Sequence, residues 1–431
     1  MADRDDVAHL LRRATFGPTA AEVDAAERAG MLPTIDRLLG GGPPDRGATA
    51  TPPPRLGPDP YAALPQRPSR EQRQAANRQR NSQVDQVLAW WVDRMVAAEH
   101  QLAEKLIFFW HGHWATSAQK VKSAQLMFGQ LETFRRHGSG SFGALTAAMV
   151  RDPALILWLD GQKNTRKAPN ENLARELMEL FVLGIGNYTE DDVKAGARAL
   201  TGWTIDRRTG GARFAARRHD PTDKTILGRT APFTAESYAQ LLSDQPAAAT
   251  FLTNRLWFRF AGTDPAPALR ATTDVPTALR RVLTAPEFAD TRNQLVKQPV
   301  EWAVGAMRQL GVSPGDLDDK RRRQLRAGLT GMDQVPLRPP SVGGWPAGAA
   351  WLTTSSLQAR MRLADLFAGA MSPAVARRLA AAPPKGRLDA LARLLVVDRW
   401  TERSRRALDP LSGDPRRLVA AALVSPEYTV C

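Results

Sequence analysis

Cysteine is almost absent: the one cysteine among 431 residues is Cys431. An intramolecular disulfide and a cysteine-based metal knuckle are thereby excluded, and a reducing compartment is the simplest expectation. Long apolar runs are missing too. No stretch approaches the roughly 20 apolar residues that a spanning helix requires, so no membrane insertion is expected. The first residues, "MADRDDVAHLLRRATFG", are acidic and then amphipathic, with neither a basic n-region nor an apolar h-region. They predict no signal peptide and a cytoplasmic location, with export in the company of a partner left open. Neither a Gly-x-Ser-x-Gly elbow nor a His-Glu-x-x-His helix occurs, which disfavours the common serine hydrolases and zinc proteases. "SVGGWPAGAAW" is glycine-rich but lacks the Lys-Ser/Thr that a phosphate loop needs.

What remains is ordinary globular composition, with 43% hydrophobic and 24% charged residues. The formal net charge of +15 raises nucleic acid as a partner. The excess is mostly arginine in an Ala/Arg/Pro/Leu-rich chain, a bias that GC-rich coding also produces. Its densest runs, "RPSREQRQAANRQR" (67–80) and "KRRRQLR" (320–326), carry no interleaved aromatics and read equally well as solvated helix faces. Nucleic acid is kept as a second alternative and is not favoured.

Helical periodicity dominates the chain and predicts an all-α fold: a multi-helix, bundle-like single large domain with a small β-hairpin insertion. Residues 1–39 read as an N-terminal helical hook, 40–70 as a Pro/Gly-rich loop, and 71–431 as the main helical domain. The hairpin is placed at about 203–230, where a Gly-Gly turn interrupts polar/apolar alternation. Expected helices include 20–39 with Thr19 as N-cap, 101–112, 118–136, 170–184 and 266–271. A capping box is expected at Thr189 and Asp192. "ALRRVLTAPEFAD" and "RLVAAALVSPEYTV" share a pattern of amphipathic helix followed by a Pro-acid-aromatic turn.

Seven blocks in order, "HLLRRATFGPT", "EKLIFFWHGHWATS", "NENLARELMELFVLGIGNYTEDDV", "ARALTGW", "HDPTDKTILG", "NRLWFRFAG" and "PPSVGGWPAGAAWLTTSSLQAR", resemble the bacterial family catalogued as domain of unknown function 1800. The resemblance covers nearly the whole chain. It implies no defined activity. It does imply company, since members are often encoded beside an exported sulfatase-like or phosphatase-like protein and many carry a twin-arginine signal, which these first residues do not show.

Chemistry is sought in three places. In "FFWHGHWATS" (108–117), His111 and His113 suit a divalent metal, with carboxylates completing the shell. Residues two apart on a continuous helix point about 200° apart and cannot share an ion, so this reading needs Gly112 to end the helix. Glu104, two turns back, would orient His111. The competing reading has Trp110 and Trp114 in the core and the histidines capping carbonyls. On the helix after Asn170, which is expected to cap it, Glu171, Arg175, Glu176 and Glu179 share an arc of about 140° opposite an apolar face. They are candidate catalytic groups, with Glu176 and Glu179 also candidate metal ligands, or else a solvated face laced by i,i+4 pairs. His219 and Asp220, in "HDPTDKT", are a candidate base and its acid, or an exposed turn. His9, His100 and His137 stand alone.

Two classes of function stay open. One is a non-catalytic helical accessory or scaffold protein that binds a protein partner, of phosphatase or sulfatase type, through a Trp-rich and Arg-rich surface. The other is an enzyme that uses a divalent metal held by the His-x-His and glutamate cluster.

Overall fold

The computed structural model describes residues 3–40, 44–206, 210–262 and 266–431. Among them are 24 α-helices and two two-stranded antiparallel sheets. The helical expectation holds because apolar residues recur at the helix period and polar side chains close the starts. Thr19–Glu22, Ser69–Gln72 and Thr189–Asp192 each form a reciprocal capping box. The insertion is two hairpins. Trp203–Asp206 pairs with Gly211–Phe214, and Lys224–Ile226 pairs with Arg229–Ala231. Residues 207–209 of the first, and 41–43 of the Pro/Gly-rich stretch, lie outside the described residues.

Several boundaries differ from expectation. The helix expected over 20–39 is two, Ala20–Ala29 and Met31–Gly40, parted at Gly30 where φ is +89°. That expected over 118–136 breaks at Lys122, which adopts the left-handed conformation. Residues 266–271 form no helix. The 40–70 stretch contains the short helix Arg46–Ala50. The same stretch is pinned to the helix Arg70–Ala97 by a buried bidentate pair, Arg80 to Asp59 at 2.7 and 2.6 Å. The two "APEF" and "SPEY" segments do share a form: helix Val275–Thr284 then Pro286–Asp290, and helix Pro415–Leu423 then Pro426–Thr429.

The N-terminal residues are part of the main core. In the helix Arg4–Ala14 every residue from Val7 onward is buried, arginines included. Arg12 forks onto Asp398 at 2.6 and 2.9 Å, and Arg13 donates to the carbonyls of Phe260, Ala261 and Thr291. At the centre the helix Pro299–Leu310 brings Glu301 between Lys105 and Arg259, each 2.7 Å away. Lys105 also donates to the Arg13 and Thr15 carbonyls. Burial pushes the Glu301 carboxyl up, but its two cationic neighbours outweigh this and hold it at about 2. None of the eleven tryptophans is exposed, so the expected Trp-rich surface does not exist. Those rings are core.

Candidate binding cleft

The helix Gln101–His113 is buried on almost every side and runs unbroken through Gly112. Gly112 has no positive φ, and Trp345 covers it. The helix end that the metal reading required is therefore absent, and the two imidazoles enter different environments. Both are buried. His111 Nε2 accepts the Leu337 backbone N–H at 3.0 Å, and Trp91 and Trp345 bracket its ring edge-on at 5.3 Å. With Nε2 as acceptor, the proton of the neutral ring sits on Nδ1. His113 does the reverse: its Nε2 donates to the Phe181 carbonyl at 2.8 Å, within a cage that includes Phe109, Phe142 and Phe251. Burial holds both rings neutral, at about 3, with the Arg255 charge adding to the effect on His113.

The carbonyl that His113 uses lies in the last turn of an irregular helix, where carbonyls lack intrahelical partners. After Asn172–Glu176 the chain widens into a π-helix over Leu177–Val182, which ends with the N–H groups of Leu183 and Gly184 both on the Met178 carbonyl. Such insertions leave backbone groups without their usual partners and often mark functional sites. Asn170 does not cap the helix; Glu171 occupies that position, and the Asn170 side chain accepts the Asn172 N–H in a local turn.

The widening also rearranges the carboxylate face. Arg175 bonds Glu171 at 3.1 Å as expected, but its other contacts go to Glu190 at 2.7 Å and not to Glu179. Glu179 instead accepts the Tyr188 hydroxyl at 3.2 Å. Glu176 is half-buried, and burial followed by the nearby Glu179 charge raises its pKa. Glu171, Arg175 and Glu190 thus form a surface ion-pair group.

The expected metal centre is corrected on these grounds. His111 spends its lone pair on a backbone N–H, the free Nδ1 of His113 is closed off from solvent, and Glu104 bonds Trp91, Arg94 and Arg135 rather than His111. Among the described residues no group of three or more His, Cys, Asp or Glu side chains is arranged to hold a metal ion. His219 and Asp220 do not act on each other either. His219 Nδ1 meets the Thr201 carbonyl and hydroxyl at 3.1 Å, whereas Asp220 bonds Arg198 at 2.7 Å and Thr222 at 2.6 Å. Burial raises the Asp220 pKa, but these bonds more than reverse the effect and keep it ionised. Lys224 fastens the same loop by donating to the carbonyls of Asp220, Thr222 and Phe233. Together these bonds fix the loop that follows the first hairpin.

What the structure does assemble is an open cleft of about 530 Å³ over the π-helix, within the size range of ligand sites. His113 lies at its base, Glu179 and Ile185 on one side, Asn254 and Arg255 on another, and Val342 and Gly343 close it. Arg255 makes no hydrogen bond or ion pair with any described residue; its Nε is buried, and burial lowers its pKa. Asn187 donates to the Leu183 and Gly184 carbonyls, shaping the turn that carries Ile185. Ile185 is 78% exposed, and Phe258, one turn beyond Asn254, is 38% exposed. Sequence reasoning missed Arg255, Asn254 and Asn187. Their only signal was membership of recognisable blocks, and four of the seven blocks supply lining residues to this cleft.

Fold and site define a predominantly helical protein whose cleft holds an arginine that is unpaired among the described residues, which also form no metal cluster. Over residues 9–430 the chain matches the family described as "Protein of unknown function (DUF1800)", and it belongs to that family. No curated protein and no solved structure matches it. No helix among the described residues is long and apolar enough to cross a membrane.

Proposed function

We propose that the chain is a non-catalytic accessory protein that binds a protein partner at the cleft over the π-helix. One observation carries this reading: Arg255, half-buried with its Nε closed off and no hydrogen-bond or ion-pair partner among the described residues, lines a cleft whose rim presents the exposed Ile185 side chain. A guanidinium that is partly desolvated and unpaired gains from an incoming anion, because each N–H bond to a charged oxygen is stronger there than in open water. An apolar anchor beside a desolvated arginine is the composition of an interface hot spot. The sequence resemblance suggests an exported phosphatase-like or sulfatase-like protein as that partner. The same reading is supported by the candidate metal ligands His111 and His113, which are tied to backbone, and by the candidate catalytic pair His219 and Asp220, tied to Thr201 and Arg198.

The test is affinity capture from the native host with the full chain, identification of the retained protein, and binding measurements with the purified pair. Ile185→Asp is expected to weaken binding by at least about tenfold, the scale of a lost anchor. Leu32→Asp is the control: Leu32 is 57% exposed and does not line the cleft. Equal affinity of Ile185→Asp and wild type would overturn the reading.

A further inference from the structure

The chemistry of the cleft narrows what the partner brings to it. Arg255 and Glu179 line the same space, yet neither forms an ion pair among the described residues. Glu179 already accepts the Tyr188 hydroxyl, so the negative side of the cleft has a hydrogen-bond partner while the positive side has none. The Nε of Arg255 is buried, whereas its terminal nitrogens remain accessible at the cleft surface. Between the two charges the wall is apolar, formed by Leu180, Phe251 and Val342.

We propose that the entering segment is a peptide carrying a carboxylate, which forks onto the Arg255 guanidinium, next to an apolar side chain that packs on Phe251 and Leu180. This rests on the partner-binding reading above. A planar carboxylate matches the two parallel N–H donors of a guanidinium, and such pairs are about twice as strong as neutral hydrogen bonds. The Glu179 charge in the same cleft disfavours a dianion such as phosphate, because like charges at close range repel in a partly desolvated site. His113 does not bind the ligand. Its neutral ring supports the cleft base and adds no positive charge beside Arg255.

The test uses the purified full chain and a randomised tetrapeptide library synthesised in two forms, free acid and C-terminal amide. Bound peptides are separated and identified by mass spectrometry. Peptides with a carboxylate, whether Asp, Glu or the chain end, are expected to be enriched about tenfold over neutral amidated peptides, the scale of one charge-assisted bond. Comparison of the two library forms tells whether a side chain or a chain end supplies the group; either upholds the proposal. Arg255→Gln is expected to abolish the enrichment with a thermal midpoint no lower than that of the wild type, and Arg255→Lys to keep part of it. Equal capture of neutral amidated peptides, enrichment that survives Arg255→Gln, no enrichment at all, or inorganic phosphate competing as well as carboxylate peptides would overturn it. If the library shows no carboxylate preference while Ile185→Asp still releases the partner, this inference falls and the binding reading stands.

Discussion

If His111 is a neutral structural member of the core, its replacement has a pH-dependent cost that can be worked out in advance. Its folded pKa is about 3, set by burial, against about 6.5 unfolded. The folded value is depressed, so as pH falls the unfolded chain takes up the proton first. Stability from this group is therefore full above about pH 6.5, declines between about 6.5 and 3, and levels off below. At pH 5 the loss is about 2 kcal/mol, from RT times the logarithm of the unfolded-state protonation ratio. His111→Gln removes the titration and keeps an acceptor for the Leu337 N–H, at the expense of ring contacts with Trp91 and Trp345. That lost packing is worth about 2 kcal/mol at neutral pH. Urea unfolding at pH 7.5 and pH 5 should then show the variant about 2 kcal/mol less stable at the higher pH and close to wild type at the lower. The difference between the two proteins is the useful quantity. Asp152, which burial raises to about 6, runs the other way: its folded carboxyl binds a proton more readily, gaining stability as pH falls, and it cancels in the comparison. An equal penalty at both pH values would refute the claim that His111 is neutral and closed off.

Three more outcomes follow from the same geometry. Gly112→Ala should leave stability unchanged or raise it by up to about 1 kcal/mol in thermal denaturation, since the helix continues there and a Cβ would make only ordinary contact with Trp345. Gly344→Ala should destabilise by about 1–3 kcal/mol and weaken partner binding, because φ is +84° and the new Cβ would sit 2.3 Å from the Gly112 carbonyl, lifting the loop that carries Val342 and Gly343. Glu301→Gln should lower stability by about 3–5 kcal/mol, measured by urea unfolding, because Lys105 and Arg259 would stay buried without their shared carboxylate.

Much of the fold is legible in the sequence because it depends on local chemistry. Thr189 followed by Asp192 makes the capping box that it spells, and Val84, Val87, Leu88, Trp91 and Met95 bury the side of Arg70–Ala97 that their spacing marks. The errors arise where tertiary contacts override a local signal. Gly112 resembles a helix end, but Trp345 from a loop more than 200 residues away covers it and the helix goes on. Glu179 stands at i,i+4 from Arg175, but the π-helix turns it toward Tyr188, and nothing in "LMELFV" announces the extra residue per turn. Arg255 is the sharpest case. One arginine among many in this chain has no distinguishing neighbour in sequence, and it stands out only once folding has half-buried it with no partner among the described residues. The eleven tryptophans mislead for the opposite reason: apolar bulk is easily counted, and the packed core takes all of it that a surface reading would need.

Site-specific photocrosslinking in the native host tests most directly whether a partner sits in the cleft over the π-helix. A benzophenone amino acid placed at Ile185 is predicted to form a discrete adduct with one protein, and the adduct should fade when Arg255→Gln is added. The same group placed at Leu32, exposed but away from the cleft, is predicted to form none. An adduct at position 32 and none at 185, or a 185 adduct indifferent to Arg255, would contradict the assignment.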